Sequence, residues 1–136
     1  MVAYSFAPQF AEPIVARIKR QTVRGNRKRH ARPGEPLQLY TGMRTKHCRK
    51  LLDRDPICLD VRDIVIDFAP RNPKLIMSIE IEGVRLDDDQ IEDFAIADGF
   101  GSALADGFAR RRMGEFWLKN HVFAPFKGVV IRWEDR

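Results

Sequence analysis

Apolar residues recur along this chain with a period of two in most stretches and near three and a half in a few, and the change of period marks the elements. VAYSF at the start alternates as a first strand. PQFAEPIVARI places Phe10, Ile14 and Ile18 four apart, which predicts a helix from about Pro8 to Ile18 whose start Pro13 leaves open. QTVR is short and β-branched at Thr22 and Val23. RPGEPLQLYTG predicts a turn that feeds a strand through Leu37, Leu39 and Tyr40 and stops at Gly42. In ICLDVRDIVIDF the alternation of Ile57, Leu59 and Val61 changes phase near Asp63, where a bulge or bend would account for it.

KLIMSIEIEGVRL sets Ile79 and Ile81 against Glu80 and Glu82, the pattern of a strand with one wet face. DDDQIEDFAIADG begins a helix with carboxylates at its positive end and has Gly99 near its stop. SALADGFARRRMGEFWLKNH predicts a further helix that breaks near Gly114, so the helical region spans about 87 to 122, and FKGVVIRWE closes the chain as a strand. Phe94, Phe100, Phe108, Phe116, Trp117, Phe123 and Trp133 read as core aromatics. The order is β-rich with inserted helices, an α+β class, without internal repeats or low-complexity linkers.

Composition narrows the setting. A chain of 136 residues with 44% hydrophobic content suits a single domain over 1–136. No apolar run approaches the roughly 20 residues that cross a bilayer, and MVAYSFAPQF lacks the features of a signal peptide, so the expectation is a soluble, cytoplasmic protein without a membrane partner. Cys48 and Cys58 read as reduced thiols. With no Cys-x-x-Cys pair and with His30, His47 and His121 far apart, no metal and no cofactor are expected.

Charge adds a direction. The formal net charge is +5, but Arg17, Lys19, Arg20, Arg24, Arg27, Lys28, Arg29 and Arg32 follow one another with no carboxylate between them, while acids gather from Glu80 to Asp98. Separated signs orient a polyanion, which makes Arg20, Arg27, Lys28, Arg29 and Arg32 candidates for contacting nucleic acid. The competing reading is a solvated basic loop. In TGMRTK, Arg44, Thr45 and Lys46 follow a glycine, a composition suited to phosphate, with a plain hairpin loop as the alternative. Tyr40 ends a strand, where a base can stack.

These residues carry a resemblance. RIKRQTVR, followed by RPGEPLQLYTGMRTKHCRKL, IADGF and FAPFKGVVIRW, resembles the ASCH domain, a PUA-like family, and in particular its small phage- and prophage-associated bacterial members. The family signature Gly-x-Lys-x-x-Glu-x-Arg has Lys19 and Arg24 in register, Thr22 in the Glu position and Arg17 in place of the glycine. Threonine at that position is also found in the N4-acetylcytidine amidohydrolase branch.

The resemblance implies a mostly antiparallel, PUA-like β-barrel with flanking helices, in a bacterial cell. It also implies a lysine, a threonine and an acid acting together, which map to Lys19, Thr22 and Asp98, with Arg24 as a clamp on the ligand. Such a lysine acts as a base at neutral pH only if burial or neighbouring cations lower its pKa from about 10.4. Three readings stay open: a module binding RNA or a nucleotide, an amidohydrolase acting on an N-acylated nucleoside, and a phage accessory protein working through protein contacts. Binding ranks first, since it needs only charge and a cleft, whereas catalysis needs three side chains in accurate register.

Overall fold

The structure, a computed structural model, describes residues 2–120 and 125–136. In chain order it has β1 (Val2–Phe6), a 3-10 turn (Pro8–Phe10) leading into α1 (Ala11–Val15), β2 (Gln21–Gly25), β3 (Leu37–Thr41), β4 (Arg49–Lys50), β5 (Ile57–Ala69), β6 (Leu75–Ile81), β7 (Val84–Arg85), α2 (Asp88–Ala95) running into a π turn (Ile96–Phe100), α3 (Ala109–Asn120) and β8 (Phe126–Glu134). The class is α+β. Strand pairing is mostly antiparallel, with β1 and β3 parallel. The described strands form one sheet ordered β1-β3-β4 and another ordered β2-β8-β5-β6-β7.

Two compact units divide the chain. One comprises Met1–Thr22, Arg27–Val61 and Ile131–Arg136, and the other Val23–Asn26 and Arg62–Val130. In the first unit, alternation decides the core: Val2, Tyr4 and Phe6 of β1 are buried together with Leu37 and Leu39 of β3, in a register running from Val2 opposite Leu37 to Phe6 opposite Thr41. Tyr4 is buried with its polar end satisfied, since its hydroxyl lies 3.0 Å from His30 Nδ1 and accepts the Ala31 N–H at 3.1 Å.

The first helix is shorter than the Phe10, Ile14, Ile18 spacing predicts. It stops at Val15, and Ile18 is 67% exposed while Phe10 and Ile14 are buried. The cause is a Schellman turn. Arg17 takes a left-handed conformation (φ 61°), its N–H donates to the Ile14 carbonyl at 3.0 Å, and the Ile18 N–H donates to the Pro13 carbonyl at 2.9 Å.

In the second unit the EG between β6 and β7 forms the tight turn, with Glu82 (φ 51°) and Gly83 (φ 78°) both left-handed as a type I′ hairpin requires. The β5–β6 register shifts between Asp67 and Phe68 rather than at Asp63. At Asp63 the ladder is held, because Glu82 donates its N–H to the Asp63 carbonyl at 2.9 Å and accepts the Asp63 N–H on its carboxylate at 3.0 Å. Asp87 caps α2 with a reciprocal Gln90 bond.

Helix α3 runs unbroken through Gly114, contrary to the predicted break. The glycine serves packing: a Cβ there would lie 2.6 Å from Leu75 Cβ on β6. The helix also begins later than the pattern suggests, at Ala109. Ser102 to Gly107 form a loop in which the Asp106 carboxylate accepts the Phe108 N–H at 3.0 Å and pairs with Arg112 at 2.8 Å, an arrangement that pulls the Asp106 carboxyl down to about 2. Phe108, expected in the core, is 58% exposed at the mouth of this loop, whereas Phe94, Phe100 and Trp117 are buried. Phe123 and His121 lie outside the described residues.

Candidate nucleic-acid and nucleotide site

The turn after α1 determines where Lys19 goes. The Pro13 carbonyl receives a second N–H, that of Lys19 at 3.1 Å, so the chain wraps back on the helix end before entering β2. The wrap sinks Lys19 to 2% exposure, with its ammonium 4.9 Å from the Phe10 ring centroid and 5.7 Å from that of Phe6. Two aromatic faces there offer the cation their negative quadrupole, which compensates part of the hydration it gives up. Trp133 stands edge-on to Phe6 at 6.2 Å, and its backbone N–H donates to the Arg20 carbonyl at 3.0 Å, tying β8 to β2 just after Lys19.

Thr22 is buried on β2 in the same unit as Lys19. Arg24, half-buried, and Asp98, 5% exposed in the π turn, belong to the other unit. Beside Arg24 the backbones approach closely, since a Cβ on Gly128 would lie 2.2 Å from the Arg24 carbonyl oxygen. Gly99, following Asp98, takes φ 101° and turns the chain out of the helix.

A depression of about 670 Å³ opens at the ends of β1 and β3 in the first unit. Phe6, Ala7, Pro8, Ala11 and Met43 give it an apolar floor, and Ser5, Thr41, Gly42, His47 and Arg49 complete the lining. Its far wall is the segment after Gly42. Thr45 folds that segment: its hydroxyl donates to the Gly42 carbonyl at 2.6 Å and accepts the His47 N–H at 3.1 Å, while the Cys48 N–H donates to the Thr45 carbonyl at 3.2 Å. Gly42 itself is required, because at φ 65° a Cβ would lie 2.8 Å from the His47 carbonyl oxygen. Thr45 thus shapes the loop through a hydroxyl that the sequence reading assigned to ligand. Tyr40, half-buried, sits one residue before this wall and opposite Lys50.

The cations divide sharply. Arg20 pairs with Asp135 at 2.9 Å. Arg27 stacks on Tyr4 at 4.4 Å and donates to the Arg29 and Ala3 carbonyls at 2.8 Å and about 3.4 Å. Arg29 is ion-paired with Glu35, whose carboxylate also accepts the Arg32 N–H at 2.6 Å; those bonds hold the Glu35 carboxyl below its ordinary range. Lys28, Arg44, Lys46 and Arg49, by contrast, are exposed and make no side-chain hydrogen bond or ion pair among the described residues.

Sequence reading missed Phe6, Phe10, His47 and Arg49. Phe6 and Phe10 had a signal only as core positions, and Arg49 reaches the depression through its pairing with Thr41, a contact across eight residues that no local pattern records. Among the described residues no group of three or more His, Cys, Asp or Glu side chains is gathered to hold a metal ion. His30 is engaged with Tyr4, stacked at 6.0 Å. In comparisons with known proteins, the chain matches no family model, no curated protein and no solved structure.

Proposed function

We propose that this chain is an ASCH-type, PUA-like domain that recognises RNA or a modified nucleoside through its first unit. The observation that carries the reading is the turn delivering Lys19. The resemblance places a glycine two residues before the signature lysine, and here Arg17 occupies that position in the left-handed conformation that glycine adopts without strain. The lysine that follows is sunk against two aromatic rings rather than displayed on a helix surface. Uncompensated Arg44, Lys46 and Arg49 supply the positive field that draws a phosphate backbone.

Fluorescence anisotropy with a short single-stranded RNA, repeated across salt concentrations, tests this. Binding should weaken steeply as salt rises, and Lys19→Met, which keeps the aliphatic stem, should weaken binding of RNA or of N4-acetylcytidine about tenfold. Absence of binding to both ligands at low salt would remove the proposal.

A second reading, deacylation of an N4-acetylcytidine-like nucleoside, is favoured by the burial of Lys19 and Thr22 alike in the first unit, since water-poor surroundings strengthen the polar interactions catalysis uses. Lys19, in its neutral amine form, would take the proton of Thr22 or of a water, and Thr22 would attack or position the attacking oxygen. Release of acetate from N4-acetylcytidine, lost in Lys19→Met and reduced by orders of magnitude in Thr22→Ala, is the expected result. No release from a panel of acylated nucleosides, with binding intact, would leave the domain a binding module.

A further inference from the structure

We infer that the depression beside Phe6 seats a phosphorylated nucleotide, the base on its apolar floor and the phosphate at Arg49 and His47. This rests on the nucleotide-binding reading above and adds the chemical class of its ligand. Three observations converge. The floor offers the side chains of Met43, Pro8, Ala7 and Ala11 over the buried Phe6, apolar surface of the kind on which a heterocycle packs. At about 670 Å³ the open depression is roomy enough to seat a ligand of nucleotide size. The rim is cationic and lacks counter-charge: Arg49 makes no ion pair among the described residues, and no aspartate or glutamate lines the depression.

The arrangement also has the stiffness that a phosphate seat requires. The wall from Gly42 to Cys48 is fixed by the three bonds described above and by the Thr45 N–H, which donates to the Gly42 carbonyl at 3.1 Å, and the Met43 N–H is held by Ser5 Oγ at 3.3 Å. Arg49 projects from β4, paired to Thr41 on β3, so its guanidinium starts from regular backbone rather than from a loose loop. An arginine on such a base presents a planar fork matched to two phosphate oxygens, which a point-charge lysine does not. A free nucleoside would use the floor and leave the fork unanswered, so the geometry discriminates between the two.

Calorimetric titration of the full chain with N4-acetylcytidine, with its 5′-monophosphate and with inorganic phosphate tests the inference. The monophosphate should bind at least tenfold more tightly than the nucleoside, and inorganic phosphate more weakly than the monophosphate. Arg49→Gln, and Arg49→Gln with His47→Ala, should collapse the monophosphate advantage to within about twofold while nucleoside affinity stays the same. Met43→Asp should weaken both organic ligands. Equal affinity for nucleoside and monophosphate in the wild type, an advantage that survives the double variant, or inorganic phosphate binding as tightly as the monophosphate would each overturn the phosphate seat, leaving nucleic-acid recognition standing where RNA still binds. Failure of all three probes and of RNA would remove both readings together.

Discussion

The segment from Arg27 to Arg32 and the loop from Arg44 to Arg49 look alike as sequence, each a short run of cations without a carboxylate. Their side chains do different things. Arg27 lies on Tyr4 and caps backbone carbonyls, and Arg29 and the Arg32 amide hold Glu35, so the first run closes its own part of the fold. Arg44, Lys46 and Arg49 meet no counter-charge among the described residues, and Arg49 edges a depression. Charge density along a chain therefore measures neither free charge nor binding capacity. What matters is whether each cation has already found an acceptor or a ring, because a cation that releases no counterion on binding adds little to the affinity for a polyanion.

The contrast is most directly broken by removing one run at a time. Replacing Arg44, Lys46 and Arg49 together by alanine should reduce affinity for single-stranded RNA by ten- to a hundredfold at low salt and lower the slope of log K against log salt by about 2, at roughly 0.7 per lost phosphate contact. Thermal melting should move little, since these side chains support nothing internal. Anisotropy titrations at several salt concentrations read the slope, and an unchanged slope would mean that the loop is merely solvated.

Arg27→Ala should do the reverse. Loss of the cation–ring contact and of the carbonyl bonds should cost about 1 kcal/mol in chemical denaturation, with the RNA salt slope unaltered. A reduced slope with unchanged stability would place Arg27 among the phosphate contacts after all.

Arg17→Gly separates backbone from charge within the same basic stretch. A non-glycine residue at φ 61° carries strain of about 1 kcal/mol, which glycine relieves, while the long 4.0 Å pairing with Asp135 that would be lost contributes little because Asp135 keeps Arg20 at 2.9 Å. The expected outcome is a rise in denaturation midpoint with RNA affinity preserved. A fall in stability would show that the Schellman turn tolerates arginine without strain.

The smallest effect is a pH one. Glu35 has its carboxyl lowered, first by the Arg32 backbone N–H and then by the Arg29 side chain. A depressed acid stabilises the folded state above its unfolded pKa, and that contribution is lost as pH falls through the lower, folded value. The protection factor of the Arg32 amide proton should therefore hold from neutral pH down past the ordinary glutamate value of 4.5 and fall only as pH passes through the lower, folded value, and Glu35→Gln should abolish the dependence. Uniform protection down to pH 2 in the wild type would mean that the loop does not rely on this carboxylate.

Much of the frame was legible in the residues because it follows from local rules. Alternation located β1, β3 and β6, the carboxylates at its positive end located the start of α2, and the tight turn at Glu82 and Gly83 that splits KLIMSIEIEGVRL into β6 and β7 went unread. The α+β class followed from that order, and the mostly antiparallel pairing was an expectation of the resemblance. Local rules failed where a distant partner decided the outcome. Gly114 reads as a helix breaker but is the point where α3 meets Leu75, and Ile18 matches the helical period but lies beyond a turn closed by the Pro13 carbonyl.

The candidate site shows the same division. Its cations, its lysine and its threonine stand out as residue types, since charge and hydroxyl chemistry belong to the side chain wherever it lies. Burial of Lys19 against Phe6 and Phe10, the pairing that brings Arg49 beside Thr41, and the ring and carboxylate that occupy Arg27 and Arg29 exist only once the chain is folded. By itself the sequence determined which groups were available. Tertiary structure decided which of them were already satisfied, because hydrogen bonds and ion pairs depend on distances of a few ångströms between residues that sequence separation does not measure.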